Sequence, residues 1–592
     1  MNSTAMMTSA PALTLDGSTV PPRDLIGGKA WSLARMLSLG LRVPPAFVIP
    51  VPQCRQYLES DSGLADEVAH AVREGIADLE HRTGRRFGDP DNPLLVSVRS
   101  GAAVSMPGMM DTILNLGMTD EIEAALAKST GNPTYARDTH ARFCHAFGDI
   151  VLKADLDPYV TGPTSSDVRD AVLSDTRRTI PVDPHAQLED AICAVFDSWQ
   201  SSRAKAYRRH WKIAEEGGTA VTVQAMVFGN LDERSGTGVL FTRNPLSGAP
   251  DPYGEWLPKG QGDDVVGGTH AVLTLAQMQQ DLPEAVEELL GWADALEREH
   301  TEVQDIEFTV ESGTVFLLQT RAAKRSPEAA VRIAVDLVDE GLIDPLQALS
   351  RVTPEQVRSV LMPSLEADVA ASAETLATGE PACPGIATGV GVEDPDEAVT
   401  RATQGEKIVL VRPTTSPNDV HGMIAAVAVV TDLGGATSHA AVVTRALGRP
   451  SVVGVGTGVA STLIGRELTV DGRTGRVYDG VLQLAETRVE DDETLGRIAT
   501  WAAESCAINV AQQAPSGVDV VDLDLLIAGL EDPDAGLDED SIVTALAGRE
   551  AARGAVFTSE DGVRAAHRAR VLVVNDCPLL VQLTALRTLG TA

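Results

Sequence analysis

The chain has 592 residues, of which 43% are hydrophobic and 4% aromatic, and its formal net charge is −36 at pH 7. This length predicts about three to four domains. The acidic balance argues against nucleic-acid backbones as partners, and the low aromatic content offers few base-stacking platforms. A nucleotide would bind only where local Lys, Arg or Mg²⁺ offsets the negative field.

The sequence also argues against a membrane or secretory protein. No apolar run approaches the length of a membrane span, and the first ten residues lack the basic-then-apolar order of a signal peptide. We therefore expect a cytoplasmic protein with reduced thiols, because the cysteines show no metal-ligand spacing. The six cysteines are Cys54, Cys144, Cys193, Cys383, Cys506 and Cys577.

The first motif with chemical character is Gly27-Gly28-Lys29, which precedes an amphipathic helical pattern. Flexible glycines and a lysine at a helix start suit a phosphate. The spacing is not that of a P-loop, and a surface lysine at a helix start is the alternative interpretation.

A second candidate phosphate contact follows a buried strand. The strand is predicted from Leu94 to Arg99, and a loop of small residues containing Gly101 and Gly108 comes after it. An arginine at a strand end can hold a phosphate bidentately while backbone N–H groups approach it. A salt bridge at the rim of the sheet is the alternative.

Helical and strand-rich stretches then follow one another. Apolar spacing predicts helices over residues 132–153 and 188–210. Most of their length is packing face, and Arg142 is a candidate nucleotide contact. Residues 219–270 alternate and contain glycine turns, which predict a sheet with hairpins.

The clearest chemical pattern of the first half is Asp305-Ile-Glu307, followed by Gln319-Thr-Arg321. Alternation places both carboxylates on one strand face. If Glu311-Ser-Gly313 is a three-residue hairpin loop, residue 305 lies opposite 319 and the four polar residues share a face, whereas a two-residue loop would put Gln319 on the other side. Adjacent carboxylates repel unless a cation lies between them, and Mg²⁺ bridging phosphate oxygens is the natural candidate. A solvated polar face is the alternative.

The central motif is a histidine at a predicted helix start. Residues 426–431 predict a buried strand, a glycine pair permits a turn, and a helix from about His439 to Leu447 is capped by Thr437 or Ser438. Free N–H groups and the positive dipole end favour an anion there and keep the imidazole neutral and nucleophilic. A phosphorylated histidine would be stabilised at this position, and a helix-entry residue without chemistry is the alternative.

Three further residues of this region differ in their expected roles. Arg412 ends a predicted strand and is placed to reach a phosphate on His439, with a surface pair to Asp419 as the alternative. His421 is expected to be structural. Arg445 lies six positions after His439 and off the same helix face, so we do not count it among the site residues.

Several of these motifs resemble a known family. The run Gly434-Gly-Ala-Thr-Ser-His-Ala-Ala-Val-Val-Thr-Arg445 is similar to the phosphohistidine signature of the phosphoenolpyruvate-utilising enzymes. The runs Ser105-Met-Pro-Gly-Met-Met-Asp-Thr112 and Leu410-Val-Arg-Pro-Thr-Thr-Ser-Pro-Asn-Asp-Val-His-Gly-Met-Ile424 resemble the pyruvate, phosphate dikinase family in particular. The resemblance covers roughly residues 20–485.

The resemblance implies a multi-domain α/β fold. It implies an ATP-grasp nucleotide-binding domain over residues 1–345, a helical linker over 346–378, a swivelling phosphohistidine domain over 379–485 and a short α/β tail over 486–592. The tail is expected to be a truncated remnant of the family's (β/α)8 barrel, because such a barrel needs about 250 residues and only 107 follow residue 485 (592 − 485). Cys577 does not match the catalytic cysteine of that barrel.

The resemblance also implies a reaction and a set of site residues. ATP binds with Mg²⁺, its β,γ-pyrophosphoryl group passes to His439, inorganic phosphate takes the γ-phosphate, and AMP and pyrophosphate leave. Asp305 and Glu307 would hold the metal, and Thr437 corresponds to a threonine whose phosphorylation switches off regulated relatives by repulsion. The implied ATP-binding residues are Lys29, Arg99, Gly101, Gln224 and Val227 at the adenine hinge, Gln319 and Arg321.

Three functions fit these residues. In the first, the chain is a dikinase-like phosphotransferase that forms phosphoenolpyruvate from pyruvate, with the acceptor site on a separate chain. In the second, the histidine relay serves a different small-molecule acceptor. In the third, the protein binds nucleotide without catalysis. Whether the chain forms a homodimer is left open.

Overall fold

The computed structural model describes residues 10–60, 63–102, 112–156, 164–210, 213, 217–266, 272–361, 364–365, 367–485, 488–524 and 538–590. In these ranges the chain is a mixed α/β protein. None of the helices that they contain combines the length and the apolar character needed to cross a membrane.

Two five-stranded sheets organise the first half of the chain. The strands are β1 (Leu13–Leu15), β2 (Ala46–Ile49), β3 (Arg86–Phe87), β4 (Pro93–Leu94), β5 (Val96–Gly101), β6 (Thr112–Leu116), β7 (Ala220–Ala225), β8 (Gly236–Phe241), β9 (Tyr253–Pro258), β10 (Leu273–Thr274), β11 (Gln304–Glu311) and β12 (Thr314–Ala322). The first sheet has the order β1-β2-β7-β5-β6 and the second the order β10-β9-β8-β11-β12, while β3 and β4 form a separate ladder. The predicted strand-rich character of residues 219–270 is confirmed.

The helices of this half surround the sheets. They are α1 (Arg23–Ser38), α2 (Val51–Leu58), α3 (Asp66–Thr83), α4 (Asp120–Thr130), α5 (Pro133–Ile150), α6 (Ser165–Thr176), α7 (Pro184–Ser198), α8 (Ser202–His210), α9 (Gly262–Val266), α10 (Leu275–Asp281) and α11 (Pro283–His300). Side-chain caps set several starts; Asn132, for example, accepts the N–H of Tyr135 at the start of α5. The helix predicted over residues 188–210 is two helices, because the chain turns at residues 199–201.

Each sheet has one apolar face that packs on helices. Phe47, Val98 and Val223 of the first sheet pack with Phe143 and Phe196 from α5 and α7. Leu240, Ile306 and Phe308 of the second sheet pack against α1 and α11 through residues such as Leu33 and Val286. The opposite faces of the two sheets carry the polar residues that form the site.

A helical segment leads from the nucleotide half to the histidine domain. Its helices are α12 (Pro327–Asp339), α13 (Pro345–Arg351), α14 (Pro354–Val360) and α15 (Ala367–Ser372). Proline at the first helical position and capping boxes at Asp344 and Thr353 define the starts of α13 and α14. A short ladder joins β13 (Ser364–Leu365) to a strand at the end of the histidine domain.

The histidine domain is built on an eight-stranded sheet. Its strands are β14 (Thr375–Thr378), β15 (Glu380–Cys383), β16 (Ile386–Val392), β17 (Ile408–Arg412), β18 (Ala428–Thr431), β19 (Ser451–Val453), β20 (Glu467–Asp471) and β21 (Arg476–Asp479), followed by β22 (Leu484–Ala485), which pairs with β13. The order is β14-β21-β20-β16-β17-β18-β19-β15, with β16 to β19 parallel. The helices are α16 (Pro395–Thr403), α17 (Val420–Ala425), α18 (His439–Leu447) and α19 (Val459–Thr462).

The tail is a small parallel sheet with helices. Its elements are α20 (Glu493–Ser505), β23 (Val510–Ala511), β24 (Val520–Asp522), α21 (Glu539–Leu546), β25 (Ala551–Arg553), α22 (Glu560–Ala569), β26 (Leu572–Val574) and α23 (Pro578–Leu589). The strand order is β23-β26-β25-β24, so the first strand pairs with the last. The same neighbours meet in a closed parallel barrel, which is compatible with the expected remnant; that origin stays a prediction.

Candidate functional site

The carboxylate-bearing strands β11 and β12 form a hairpin whose register differs from the predicted one. Glu311 pairs with Thr314, so the turn has two central residues, Ser312 and Gly313, and not three. Both have positive φ, 48° and 84°, as a type I′ turn requires. The prediction that residue 305 lies opposite 319 is wrong, because Asp305 pairs with Arg321.

A β-bulge nevertheless brings the four polar residues to one face. The register shifts between Glu307 and Phe308, where Glu307 pairs with Gln319 while Phe308 pairs with Leu317. The extra residue in β12 reverses the alternation that a two-residue turn would have imposed. Asp305, Glu307, Gln319 and Arg321 therefore share the face expected for them, although for a different reason.

Ionic contacts hold this face together. Arg321 Nε donates to Asp305 Oδ2 at 2.8 Å, and its Nη2 lies 3.8 Å from Glu307 Oε1. Arg99 reaches across from the first sheet, and its Nη2 lies 3.5 Å from Glu307 Oε2 and 3.4 Å from Gln319 Oε1. The two sheets thus meet through two arginines and two carboxylates, the residue types that bind phosphate and metal.

The two carboxylates have opposite electrostatic environments. Burial raises the pKa of Asp305, which is 2% exposed, against the lowering effect of Arg321. Burial also acts on Glu307, but the charges of Arg321, Arg99 and Lys29 outweigh it and lower its pKa. Oδ1 of Asp305 is buried and has no hydrogen-bond partner among the described residues. An unpartnered carboxylate oxygen beside a second, ionised carboxylate fits a divalent cation.

The glycine pair at residues 27–28 packs against the end of β5. Gly27 has φ 75° and ψ 165°, and a Cβ built on it would lie 1.9 Å from the carbonyl oxygen of Gly101. The N–H of Gly28 donates to the carbonyl of Ala102 at 2.9 Å. These contacts place Lys29 beside Gly101, in the same cluster as Arg99. The Ser105–Asp111 part of the motif after β5, including Gly108, lies outside the described residues.

Of three other predicted nucleotide contacts, Gln224 lies on the same sheet face as Arg99, because it pairs with Ser97 of β5. Gln224 is in β7, and its side chain is 3% exposed and donates to the carbonyl of Pro44 at 3.1 Å. Val227 follows the same strand and is half-buried. Arg142 is paired with Asp264 at 2.7 Å and with a second aspartate on its own helix. Within the described ranges, no hydrogen bond or ion pair joins these three residues to Asp305 or Glu307.

His439 is the first residue of α18, so its predicted position and the end of the helix at Leu447 are confirmed. Ser438 caps the helix by accepting the N–H of Ala441 at 3.5 Å. Both ring nitrogens are buried and have no hydrogen-bond partner in the described part of the chain. Burial lowers the pKa of His439, opposed by the nearby charge of Asp419. The ring is therefore neutral near pH 7, and one of its nitrogens carries an unprotonated lone pair at the helix N-terminus.

Two residues near His439 form ion pairs, and a contact of Arg412 with a phosphate on His439 stays a prediction. Arg412 Nη2 lies 3.1 Å from Asp419 Oδ1, so the pair is formed, and the charge of Asp419 acts on His439. His421 Nε2 lies 3.0 Å from Asp396 Oδ1, on the surface of the domain.

The start of α18 is docked on the carboxylate face of the nucleotide half. Thr437 donates its hydroxyl to the carboxylate of Glu255 in β9. Glu255 pairs with Val239, which pairs with Glu307, so these residues form one row on one sheet face. With about 4.8 Å between strands, Glu255 and Glu307 are about 10 Å apart along that row. The loop that leads into His439 and the carboxylates of Asp305 and Glu307 therefore face the same space.

Residues that pattern reasoning missed also lie at this contact. Glu255 is 7% exposed, and burial raises its pKa. Tyr253 donates its hydroxyl to Glu380 of the histidine domain at 2.7 Å. Arg445 is 3% exposed and lies over Phe241 of β8. Local sequence patterns give little indication of these residues, because the contacts that matter are made with another domain.

A second group of potential metal ligands does not form such a site. Atoms of Asp120, Glu123 and His140 lie within 4.8 Å of one another. His140 Nδ1 is already 2.7 Å from Glu123 Oε2, and Arg169 is 2.9 Å from Asp120. The charges in this group are satisfied by direct pairing.

Comparisons with known proteins agree with this architecture. The family described as "Pyruvate phosphate dikinase, AMP/ATP-binding domain" matches residues 23–80 and 64–282, and "PEP-utilising enzyme, mobile domain" matches residues 404–475. The first half of the chain is thus similar to an AMP/ATP-binding domain, and the domain that contains His439 is similar to the mobile domain of phosphoenolpyruvate-utilising enzymes.

Three named proteins show what the chain is similar to over most of its length. The chain is 40% identical over 543 residues to pyruvate, phosphate dikinase of Rhizobium meliloti (strain 1021), covering 84% of this chain and 60% of the relative. It is 42% identical over 530 residues to the enzyme of Entamoeba histolytica, covering 83% and 59%, and 40% identical over 533 residues to pyruvate, phosphate dikinase 1, chloroplastic, of Zea mays, covering 84% and 56%. The chain is therefore similar to pyruvate, phosphate dikinases over 83–84% of its own length. It spans about three fifths of the length of these relatives.

Proposed function

We propose that the chain transfers a phosphoryl group from ATP to His439 and passes it on to a small acceptor. The observation that carries the proposal is the docking of the His439 helix on the sheet face that bears Asp305 and Glu307. The docking brings a buried imidazole without a hydrogen-bond partner close to a cluster of side chains that can bind phosphate and Mg²⁺. The match of residues 23–282 to an AMP/ATP-binding domain supports ATP as the phosphoryl donor.

The nucleotide half would bind the triphosphate through its cations. Lys29, Arg99 and Arg321 surround the carboxylates, and arginine binds phosphate oxygens bidentately. Gly27 allows the backbone of the segment before Lys29 to approach Gly101 closely. Asp305 and Glu307 would hold Mg²⁺, which would neutralise phosphate charge when bound. Gln319 pairs with Glu307 across the hairpin, and Arg99 Nη2 lies 3.4 Å from its Oε1.

His439 would act as the nucleophile. A ring nitrogen forms a bond to the β-phosphorus, the bond between that phosphorus and the α,β-bridging oxygen breaks, and AMP leaves with the oxygen. Inorganic phosphate then takes the γ-phosphoryl group to give pyrophosphate, and one phosphoryl group stays on His439. The low pKa of the ring keeps the nitrogen unprotonated for this attack. The helix N-terminus stabilises the anion that results.

The proposed final acceptor is pyruvate, which would give phosphoenolpyruvate, as the names of the relatives suggest. Its site is proposed to lie on a separate chain. The proposed place of action is the cytoplasm, which the six free cysteines support. Thr437 is proposed as a regulatory residue, because a phosphate on it would replace a hydrogen bond to Glu255 by repulsion between two anions.

The test follows the products of each half of the reaction. The protein is mixed with ATP, Mg²⁺ and phosphate, and nucleotides and pyrophosphate are separated chromatographically. We expect a burst of AMP and pyrophosphate close to one equivalent per chain, which requires phosphate. Pyruvate is then added, alone or with cell extract. Phosphoenolpyruvate supports the acceptor assignment, whereas AMP release without phosphoenolpyruvate in either case supports a different acceptor. Nucleotide binding without any AMP release would contradict catalysis.

A further inference from the structure

Arg445 is a buried cation that no step of the proposed reaction uses. Its Nη2 donates to the carbonyl of Ala436 at 2.7 Å, and its Nη1 donates to the carbonyl of Ala382 at 3.0 Å. Nε is buried and makes no hydrogen bond within the described ranges. Ala436 lies in the loop that leads into His439, so the guanidinium ties that loop to β15 of its own domain.

The same guanidinium also contacts the nucleotide half. Its Cζ lies 6.0 Å from the centroid of the Phe241 ring in β8. Phe241 pairs with Asp305 on one side and with Tyr253 on the other. Because paired residues share a sheet face, Arg445 lies over the row of residues that contains Asp305, one of the two candidate metal ligands.

The charges around Arg445 explain how it is tolerated there. Burial lowers the pKa of Arg445, and Cys383, Asp305, Tyr253 and Glu255 oppose that shift. The carboxylates of Asp305 and Glu255 belong to the nucleotide half, so their attraction for the guanidinium exists only while the two halves are in contact. A buried cation that lacks such partners is strongly destabilising. Its favourable surroundings therefore depend on docking.

We propose that Arg445 is a positioning residue for phosphoryl transfer to His439. Through Ala436 it sets the loop that carries the imidazole, and through Phe241 it fixes that loop above the nucleotide site. The inference rests on the proposed function, because it assigns the residue that aligns donor and acceptor in the same site. It also corrects the expectation that Arg445, being off the face of His439, has no part in the site.

A double-mutant cycle separates this role from one confined to the histidine domain. The variants are Arg445→Met, Phe241→Leu and the double variant, and the measurement is the first-order rate of His439 labelling at saturating ATP, Mg²⁺ and phosphate. We expect Arg445→Met to lower the rate about 30-fold, as for a desolvated cation–π contact. The double variant should be no slower than Arg445→Met. Affinity for a non-hydrolysable ATP analogue should stay within about twofold, because that ligand binds the nucleotide half.

The matched control is Arg449→Met. Arg449 follows the same helix, is half-buried and donates to the carbonyl of Ile424 at 3.4 Å, so its loss should leave labelling unchanged. Thermal unfolding checks each variant. If Arg445→Met does not fold, the cycle uses Arg445→Lys together with Phe241→Leu. Lysine keeps the charge but cannot make both carbonyl contacts.

The outcomes separate the inference from the function on which it rests. Effects of Arg445→Met and Phe241→Leu that multiply in the double variant would overturn the interdomain role, as would a wild-type rate in Phe241→Leu. If the wild-type chain takes up no label on His439, the proposed function itself fails. Labelling of His439 in the wild type, together with non-multiplicative effects of Arg445→Met and Phe241→Leu, supports both the proposed function and the positioning role of Arg445.

Discussion

Gly27 is the position where a single methyl group tests the nucleotide site most cleanly. Its φ of 75° and ψ of 165° lie in a region used almost only by glycine. Occupying that region with alanine costs about 1–3 kcal/mol. The added Cβ would also lie 1.9 Å from the carbonyl oxygen of Gly101, which must move. We therefore expect Gly27→Ala to destabilise the nucleotide half by about 3 kcal/mol in total.

The functional effect should exceed the loss of stability. Gly101 ends β5, and Arg99, two residues earlier, contacts Glu307 and Gln319. A shift of about 1 Å in a group that positions the substrate can lower a rate about 100-fold. We expect this loss in the rate of His439 labelling by ATP, measured by rapid quench below the unfolding temperature, and a lower affinity for the ATP analogue by calorimetry.

The neighbouring glycine supplies the control. Gly28 has no positive φ, and its nearest contacts to an added Cβ are 3.4 Å, to Ala102 O and Arg23 Nη2. Gly28→Ala should therefore change stability by less than about 1 kcal/mol and leave labelling within about threefold. Equal midpoints of unfolding and equal labelling rates for Gly27→Ala and Gly28→Ala would refute the reasoning.

Three further predictions concern the docked surfaces. Asp305→Asn should abolish the Mg²⁺ dependence of ATP-analogue binding and lower labelling at least about 100-fold, and metal titration by calorimetry checks this; undiminished metal binding would contradict the assignment. Thr437→Val removes a donor from the buried Glu255 carboxylate at a cost of about 1–3 kcal/mol, so labelling should slow at least about fivefold, while Thr437→Ser should be close to wild type. Because burial lowers the pKa of His439 from its ordinary 6.5, the nucleophile stays neutral on acidification, and the rate should hold from pH 8 to 6.5 and fall only below that; a decline already complete at pH 6.5 would count against a buried neutral ring.

The local parts of this site were predictable from the sequence. Alternation in Asp305-Ile-Glu307 and a glycine-rich turn before a capped apolar helix are short-range patterns, and the structure has the strand and the helix His439–Leu447 where they were expected. Local hydrogen bonding and side-chain periodicity determine such elements. The family resemblance added roles that the patterns alone left open.

The hairpin shows the limit of that reasoning. The sequence left a three-residue and a two-residue loop as alternatives, and the structure has the two-residue turn without the expected displacement of Gln319 to the other face. The bulge near Phe308 restores the shared face, and bulges leave no reliable mark in sequence because neighbouring strands and packing determine them. The right set of residues was thus reached through the wrong register.

Contacts between domains were beyond sequence reasoning. Glu255 and Arg445 appear as an ordinary strand carboxylate and an off-face helix arginine until the two halves are placed together. The side-chain amide of Gln224 donates to the carbonyl of Pro44. A hinge contact at that position would have to come from the backbone, and it stays a prediction.

The most direct measurement follows the β-phosphorus of ATP. The protein is incubated with Mg²⁺, phosphate and ATP labelled at either the β or the γ position, then quenched in base, and the labelled peptide is identified by mass spectrometry. The account predicts acid-labile label on the peptide containing His439 from β-labelled ATP only, label from the γ position in pyrophosphate, and neither in His439→Asn. Stable label on another residue, or equal labelling of His439→Asn, would contradict it.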